Sequence, residues 1–255
     1  METASAATSD TASGTATKGG RPLPLWPAWL LAAAATAAAV ALASLFPLIG
    51  TDTLCRYAPM AEAFAAGEWN EAFHPRFCVG MPTVAGLVRL ATGLDGLSAC
   101  AAAAALAWGL GVIPVFRIAE AVFGRKVAYF AAILYIICPQ PMVWTLKGLR
   151  EPFKILGTLL MADGLVRCRD NSWSSAVSAA IGIALLFLFK CDSVLLGGIL
   201  AIAYAVLDRF RMRTLALFLA GLAAIQPMCM LVYDWTVYWL PAPHYVKYWN
   251  LVFGG

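Results

Sequence analysis

The sequence predicts an all-α fold: a polytopic transmembrane helical protein of about seven spans, with an extracytoplasmic first loop that carries interfacial helices. Three observations lead there. Of 255 residues, 62% are hydrophobic and 13% charged, with a mean hydropathy of +0.77, whereas soluble domains are about 45–50% apolar and about 25% charged. Apolar, charge-free windows recur along the chain, near the roughly 20 residues a helix needs to cross the hydrocarbon core. The 18 basic residues, which leave a net charge of +4, form no long run and stand beside these windows. That distribution fits membrane topology better than nucleic-acid binding. The composition also excludes a disordered chain, a collagen-like fibre and a dense disulfide scaffold.

Residues 1–25 are rich in Ser, Thr, Ala and Gly and lack packing side chains, so a disordered N-terminal tail is expected, followed by a transmembrane module over 26–255. The first span covers 26–49. Its apolar run exceeds the ~7–15 residue core of a cleaved signal peptide, so it is expected to be retained. Further charge-free windows lie at 96–116, 127–146, 171–189, 193–207 and 214–233. A weaker window at 153–165 completes the seven, with Lys154 and Asp163 near its ends, where snorkelling is expected to lift both charges out of the apolar layer.

The connection over residues 50–95 is too long for a structureless loop. Leu54, Tyr57, Ala58, Ala61, Phe64 and Ala65 recur at helical spacing, with Gly67 as a stop, and predict an amphipathic helix on the outer surface. Beyond a turn-rich stretch at 74–82, Val84, Leu87, Val88 and Leu90 predict a second interfacial helix. With the N-terminus inside, Lys18, Arg21, Arg117, Arg125, Lys126, Arg167, Arg169, Arg209, Arg211 and Arg213 fall on the inner side. Arg56, Arg76, Arg89, Lys147, Arg150, Lys154, Lys190 and Lys247 fall outside. The three tightest basic clusters are all inner, which sets the orientation.

Asp52 stands just beyond the first apolar span, where a carboxylate is half-shielded yet reachable along the membrane. Arg56, one helical turn on, is expected to keep it ionised; the competing role is a cap for a helix starting at Thr53. His74 and Arg76 lie in an aromatic, turn-rich segment suited to covering a site, where an acceptor or phosphate contact competes with plain backbone and headgroup contacts. Lys147, Arg150, Glu151 and Lys154 crowd one outer connection, and Lys190 with Asp192 another. Cations at an outward cavity need partners: an anionic lipid phosphate is one, mutual pairing with Glu151 and Asp192 the other. The seven cysteines show no C-x-x-C, so no zinc site is expected; Cys55 and Cys78 share the outer side as candidates for a bridge. No P-loop, dinucleotide fingerprint or G-x-S-x-G is present. Trp26, Trp29, Trp235, Trp239 and Trp249 near span ends are expected to be interfacial anchors.

After the first span, Asp52, Tyr57, Ala61 and Gly67 follow the order D-x-x-x-x-Y-x-x-x-A-x-x-x-x-x-G, and then come His74-Pro75 and Gly80-Met-Pro82. Next are the inner connection ending Phe123-Gly124-Arg125, Cys138-Pro139, Glu151 before the fourth span, Lys190 after the fifth, and Gln226-Pro227. In this ordered pattern, residues 45–245 resemble the membrane glycosyltransferases of the GT-C fold, in the dolichyl-phosphate-mannose protein mannosyltransferase and aminoarabinose transferase-like branch. The resemblance implies an inverting transfer from a polyprenyl-phosphate-linked sugar to a hydroxyl or amine of a glycan, lipid or protein acceptor. Asp52 would be the general base, and Arg56, Tyr57, His74, Arg76, Lys147, Arg150, Glu151 and Lys190 the substrate-binding set. It further implies a bacterial cytoplasmic membrane with the site outside, membrane lipids as partners and no nucleic acid; no cofactor is expected, and a divalent metal is left open with no residue pattern that supports one. The alternative is a non-catalytic subunit of a glycan-assembly complex that binds or transports a polyprenyl lipid. Two departures stand out: many relatives carry Asp-Glu where this chain has Asp52-Thr53, and relatives continue beyond the point corresponding to Gly255. The chain is thus expected to be a minimal, truncated or catalytically incomplete form of the module.

Overall fold

A computed structural model describes residues 25–72, 80–167 and 173–189. Among these, every regular element is helical. The first, α1 (Trp26–Leu45), turns an alanine stripe, Ala28, Ala32, Ala35 and Ala39, into the bundle against α5 (Gly96–Phe123). Small side chains let the two backbones approach, as helices in lipid require. Opposite them, a Cβ on Gly109 would collide with the Thr36 hydroxyl and lie 2.7 Å from the Ala32 carbonyl. Trp26 and Trp29 are exposed at the start of α1, where anchors were expected.

The first connection is built largely of helices. A π-helical turn (Thr53–Tyr57) runs into α2 (Ala58–Ala66), which stops at Gly67 with φ +80°; α3 (Trp69–Ala72) and α4 (Gly80–Thr92) follow. The expected apolar stripe is modified at two places. Leu54 is exposed and Thr53 buried in its stead, because the wider i→i+5 turn rotates the residue four before Tyr57 inward. On α4, Val84 and Val88 pack on the core while Leu87 and Leu90 face away from it. The buried side of α4 is instead Met81, Ala85 and Gly86, and a Cβ on Gly86 would strike Phe64 of α2. Gly80-Met-Pro82 forms the first turn of α4, a place that tolerates proline because its missing N–H has no helical partner there.

α5 starts at a strong cap. Asp95 accepts from the Ser98 amide (3.0 Å) and hydroxyl (2.7 Å), and Glu62 on α2 accepts from the Gly96 amide (3.1 Å). The third expected span is bent: α6 (Arg125–Ile137) and α7 (Pro139–Leu146) meet at 48°. The cause is Cys138-Pro139, since proline lacks an amide donor and drives the preceding residue to extended ψ, here 117°. α8 (Glu151–Arg167) and α9 (Trp173–Phe189) then pair closely. A Cβ on Gly182 would lie 2.6 Å from the Gly157 carbonyl, and one on Gly164 would lie 2.6 Å from the Ser175 carbonyl.

Among the described residues, α1 and α5 are long and apolar enough to cross a membrane, and the bent pair α6–α7 has the combined length and composition of a third crossing. α8 and α9, 17 residues each, extend about 25 Å alongside. The two remaining expected spans, 193–207 and 214–233, lie outside the described residues, as do residues 1–24 of the expected tail. One apolar cluster joins α1, α5 and α6, where Phe116 meets Tyr129 edge-on at 5.1 Å. A second gathers Tyr57, Met81, Cys100, Phe153 and Phe189, with the last two rings stacked at 4.0 Å. It closes the bundle under the first connection.

Candidate site at the first-connection end of the bundle

Four separate pieces of chain converge at this end. The π-helical turn is joined to the α7–α8 connection because the buried Thr53 hydroxyl donates to the Lys147 carbonyl (2.6 Å) and approaches the Gly148 carbonyl (3.1 Å). Gly148 holds φ +63° in that connection, a left-handed conformation that glycine adopts without steric cost. The Arg150 guanidinium reaches the Phe189 carbonyl at the end of α9 (3.5 Å). Gly80, at the start of α4, rests on Leu188 and Phe189.

Asp52 leaves this junction with its side chain 51% exposed and pairs with Arg56 at 3.3 Å. It makes no capping hydrogen bond, and its own backbone is helical; the capping role is replaced by the i,i+4 ion pair. Tyr57 is buried in the apolar cluster beneath. Glu151 sits between two cations, Arg150 at 4.0 Å and Lys154 at 3.5 Å, so the mutual pairing weighed from sequence is present. The Lys147 ammonium takes part in none of these pairs. The structure thus brings Asp52, Arg56, Lys147, Arg150, Glu151 and Lys154 to one end. His74, Arg76 and Lys190 lie outside the described residues. Cys55 is a free, exposed thiol and is not bridged; Cys78 also lies outside them. Among the described residues, no group of three or more His, Cys, Asp or Glu converges as a metal site would require.

At the opposite end of α5 and α8, a second polar cluster departs from expectation. Asp163 does not snorkel: it is fully buried, with Arg167 bidentate on it at 2.7 and 2.8 Å and Arg117 at 3.5 Å. The Ser178 hydroxyl donates to the same carboxylate at 2.7 Å. Asp163 lies one turn from its helix end, yet Arg117 on α5 and Ser178 on α9 face it and supply a polar enclosure, which is the usual condition for burying a charge in a membrane bundle. Lys154, at the other end of α8, turns to Glu151. The basic residues Arg117, Arg125 and Arg167 thereby collect at one end, and Arg56, Lys147, Arg150 and Lys154 at the other, the division the sequence predicts.

Sequence reasoning passed over Thr53, Glu62 and the role of Asp163. The Asp163–Arg167 pair carries a readable signal, acid four residues before base. The Thr53 contact carries none, because its acceptors are 94 and 95 residues away.

A multi-span helical bundle with its carboxylates and cations gathered at the span ends is an integral membrane protein, and the chain is of the GT-C type. Residues 74–235 match the family described as dolichyl-phosphate-mannose-protein mannosyltransferase, and the chain belongs to that family. It is a membrane glycosyltransferase of the kind that uses polyprenyl-phosphate-linked sugars. The matched stretch begins after Asp52 and Arg56 and includes Lys147, Arg150, Glu151 and Lys154. No curated protein and no solved structure matches the chain.

Proposed function

We propose that the chain transfers a sugar from a polyprenyl-phosphate donor to an acceptor hydroxyl or amine on the outer face of a bacterial cytoplasmic membrane, with the N-terminus inside. Asp52 is the general base. The observation that carries this is the junction of its turn to the cation-bearing 147–150 connection through Thr53. Transfer with inversion needs a proton acceptor within hydrogen-bond reach of the attacking group, and cations where charge develops on the departing phosphate. The half-exposed Asp52 is suited to the first role, and Lys147, Arg150 and Lys154 to the second.

In this reading Arg56 orients Asp52 through their ion pair, and Glu151 holds Arg150 and Lys154 until the charge that builds on the phosphate as it departs, singly charged in the donor and more highly charged once released, competes for them. Tyr57, buried below, fixes the turn. His74, Arg76 and Lys190 belong to the same proposed outer set by their place in the sequence. The chemistry described requires no cofactor.

The test is Asp52→Asn in membranes supplied with a polyprenyl-phosphate-linked mannose. Transfer is expected to fall by at least ~10²-fold, the low end of general-base contributions, with donor affinity kept. Wild-type transfer by this variant would remove Asp52 from the chemistry; a chain that binds the donor but releases no polyprenyl phosphate would favour a lipid-binding or transporting subunit.

A further inference from the structure

We infer that Thr53 is a positioning residue that fixes the proposed base, Asp52, at a set separation from the cations of the 147–150 connection; this rests on the reading of Asp52 given above. The turn that carries it is unusual. The Ala58 amide donates to the Thr53 carbonyl five residues back, and such single π-helical turns inside α-helices occur frequently at functional sites. Here the turn buries Thr53 while its neighbour Asp52 remains half-exposed.

The acceptors are carbonyls that have run out of helix. Lys147 is the C-cap of α7, and carbonyls at a helix end lack intrahelical partners. One hydroxyl proton, directed at Lys147 and shared with Gly148, therefore joins two connections that are remote in sequence. The approach is tight at two glycines. A Cβ on Gly50 would lie 3.1 Å from the Lys147 carbonyl, the Thr53 hydroxyl and the Leu149 side chain. A Cβ on Gly148 would lie 3.1 Å from the Thr53 methyl, the Ala101 amide nitrogen and the Cys100 Cβ, at a backbone conformation already unfavourable for other residues. Because Lys147 offers its carbonyl to Thr53 and carries a candidate phosphate ligand on its own side chain, the backbone segments that bear the base and that cation are joined. A valine at position 53 would fill the same space and leave base and cation free to drift, and small misplacements of reacting groups cost up to about 10²-fold in rate.

The experiment compares Thr53→Val, Thr53→Ser and Asp52→Asn in the full chain in lipid nanodiscs, with a polyprenyl-phosphate-linked mannose as donor. Hydrogen exchange at residues 147–150 is read first, since it does not depend on activity. Exchange there is expected to rise about tenfold in Thr53→Val and to return to the wild-type rate in Thr53→Ser, in line with the loss and restoration of one anchoring hydrogen bond. Release of polyprenyl phosphate is read second: kcat should fall at least about tenfold in Thr53→Val with donor KM little changed, and Thr53→Ser should recover it. Unchanged exchange in Thr53→Val overturns the latch, and so does raised exchange with unchanged kcat. Undiminished release by Asp52→Asn instead defeats the underlying assignment of the base, which separates the two failures.

Discussion

Asp163 shows how a single carboxylate organises one end of this bundle. It is 0% exposed, and its oxygens are taken by Arg167, Arg117 and Ser178 from three helices. Removing the acid leaves two guanidinium groups, their side chains 20% and 16% exposed, without their shared anion; breaking a fully buried pair from one side costs on the order of 3–5 kcal/mol, and the partial exposure of the arginines lowers that cost here. Asp163→Ala should therefore lower the thermal midpoint in detergent markedly, while Ser178→Ala, which removes one neutral donor, should lower it less. Equal midpoints for Asp163→Ala and wild type would contradict the network. The Asp52–Arg56 and Asp163–Arg167 pairs both stand at helical spacing and were open to reading from sequence. The partners that give each its context, the 147–150 carbonyls and Arg117, come from remote segments that only packing brings in.

At the scale of elements, the helix starts and crossings carry the stability. The Ser98 amide and then its hydroxyl hold the Asp95 carboxyl below its ordinary value. A carboxyl lowered in the folded state stabilises fully above the unfolded value of about 3.9, and that contribution disappears as pH falls through the lowered folded value. Asp95→Ala should cost about 1 kcal/mol at neutral pH. The gap between the thermal midpoints of variant and wild type should narrow as pH falls below the ordinary carboxyl range; a gap that does not change with pH would contradict the cap. At the α8–α9 crossing, Gly182→Leu must push apart backbones with no room even for a Cβ. Overpacking of this kind costs about 1–3 kcal/mol, readable as a lowered midpoint, and an unchanged midpoint would mean the helices do not cross there. Hydropathy located the apolar windows, and Pro139 accounts for the one that proved bent. Hydropathy was silent on which face meets the protein: the most buried side of α4 is made of Gly, Ala and Met, while Leu87 and Leu90, read as part of the apolar face of an interfacial helix, lie exposed. Small residues set helix contacts in lipid, where apolar bulk brings no advantage over the surrounding tails.

For the whole molecule, the alternation of the helices matters most. α1, the bent α6–α7 pair and α9 run toward the first-connection end, and α5 and α8 run away from it, so that among the described residues Arg117, Arg125 and Arg167 lie at one end and Arg56, Lys147, Arg150 and Lys154 at the other. The family match over 74–235 and the junction at Thr53 then meet at one place, where the Asp52 turn lies against the cation-bearing connection. The general membrane class was legible from composition, and the family from ordered motifs; the geometry that gives Asp52 its company was not, because it depends on a hydroxyl contact across more than ninety residues. The most direct measurement is single-turnover release of polyprenyl phosphate from a polyprenyl-phosphate-linked mannose presented to proteoliposomes of the intact chain. The account predicts release by wild type that falls by at least ~10²-fold in Asp52→Asn; equal release from both would contradict it.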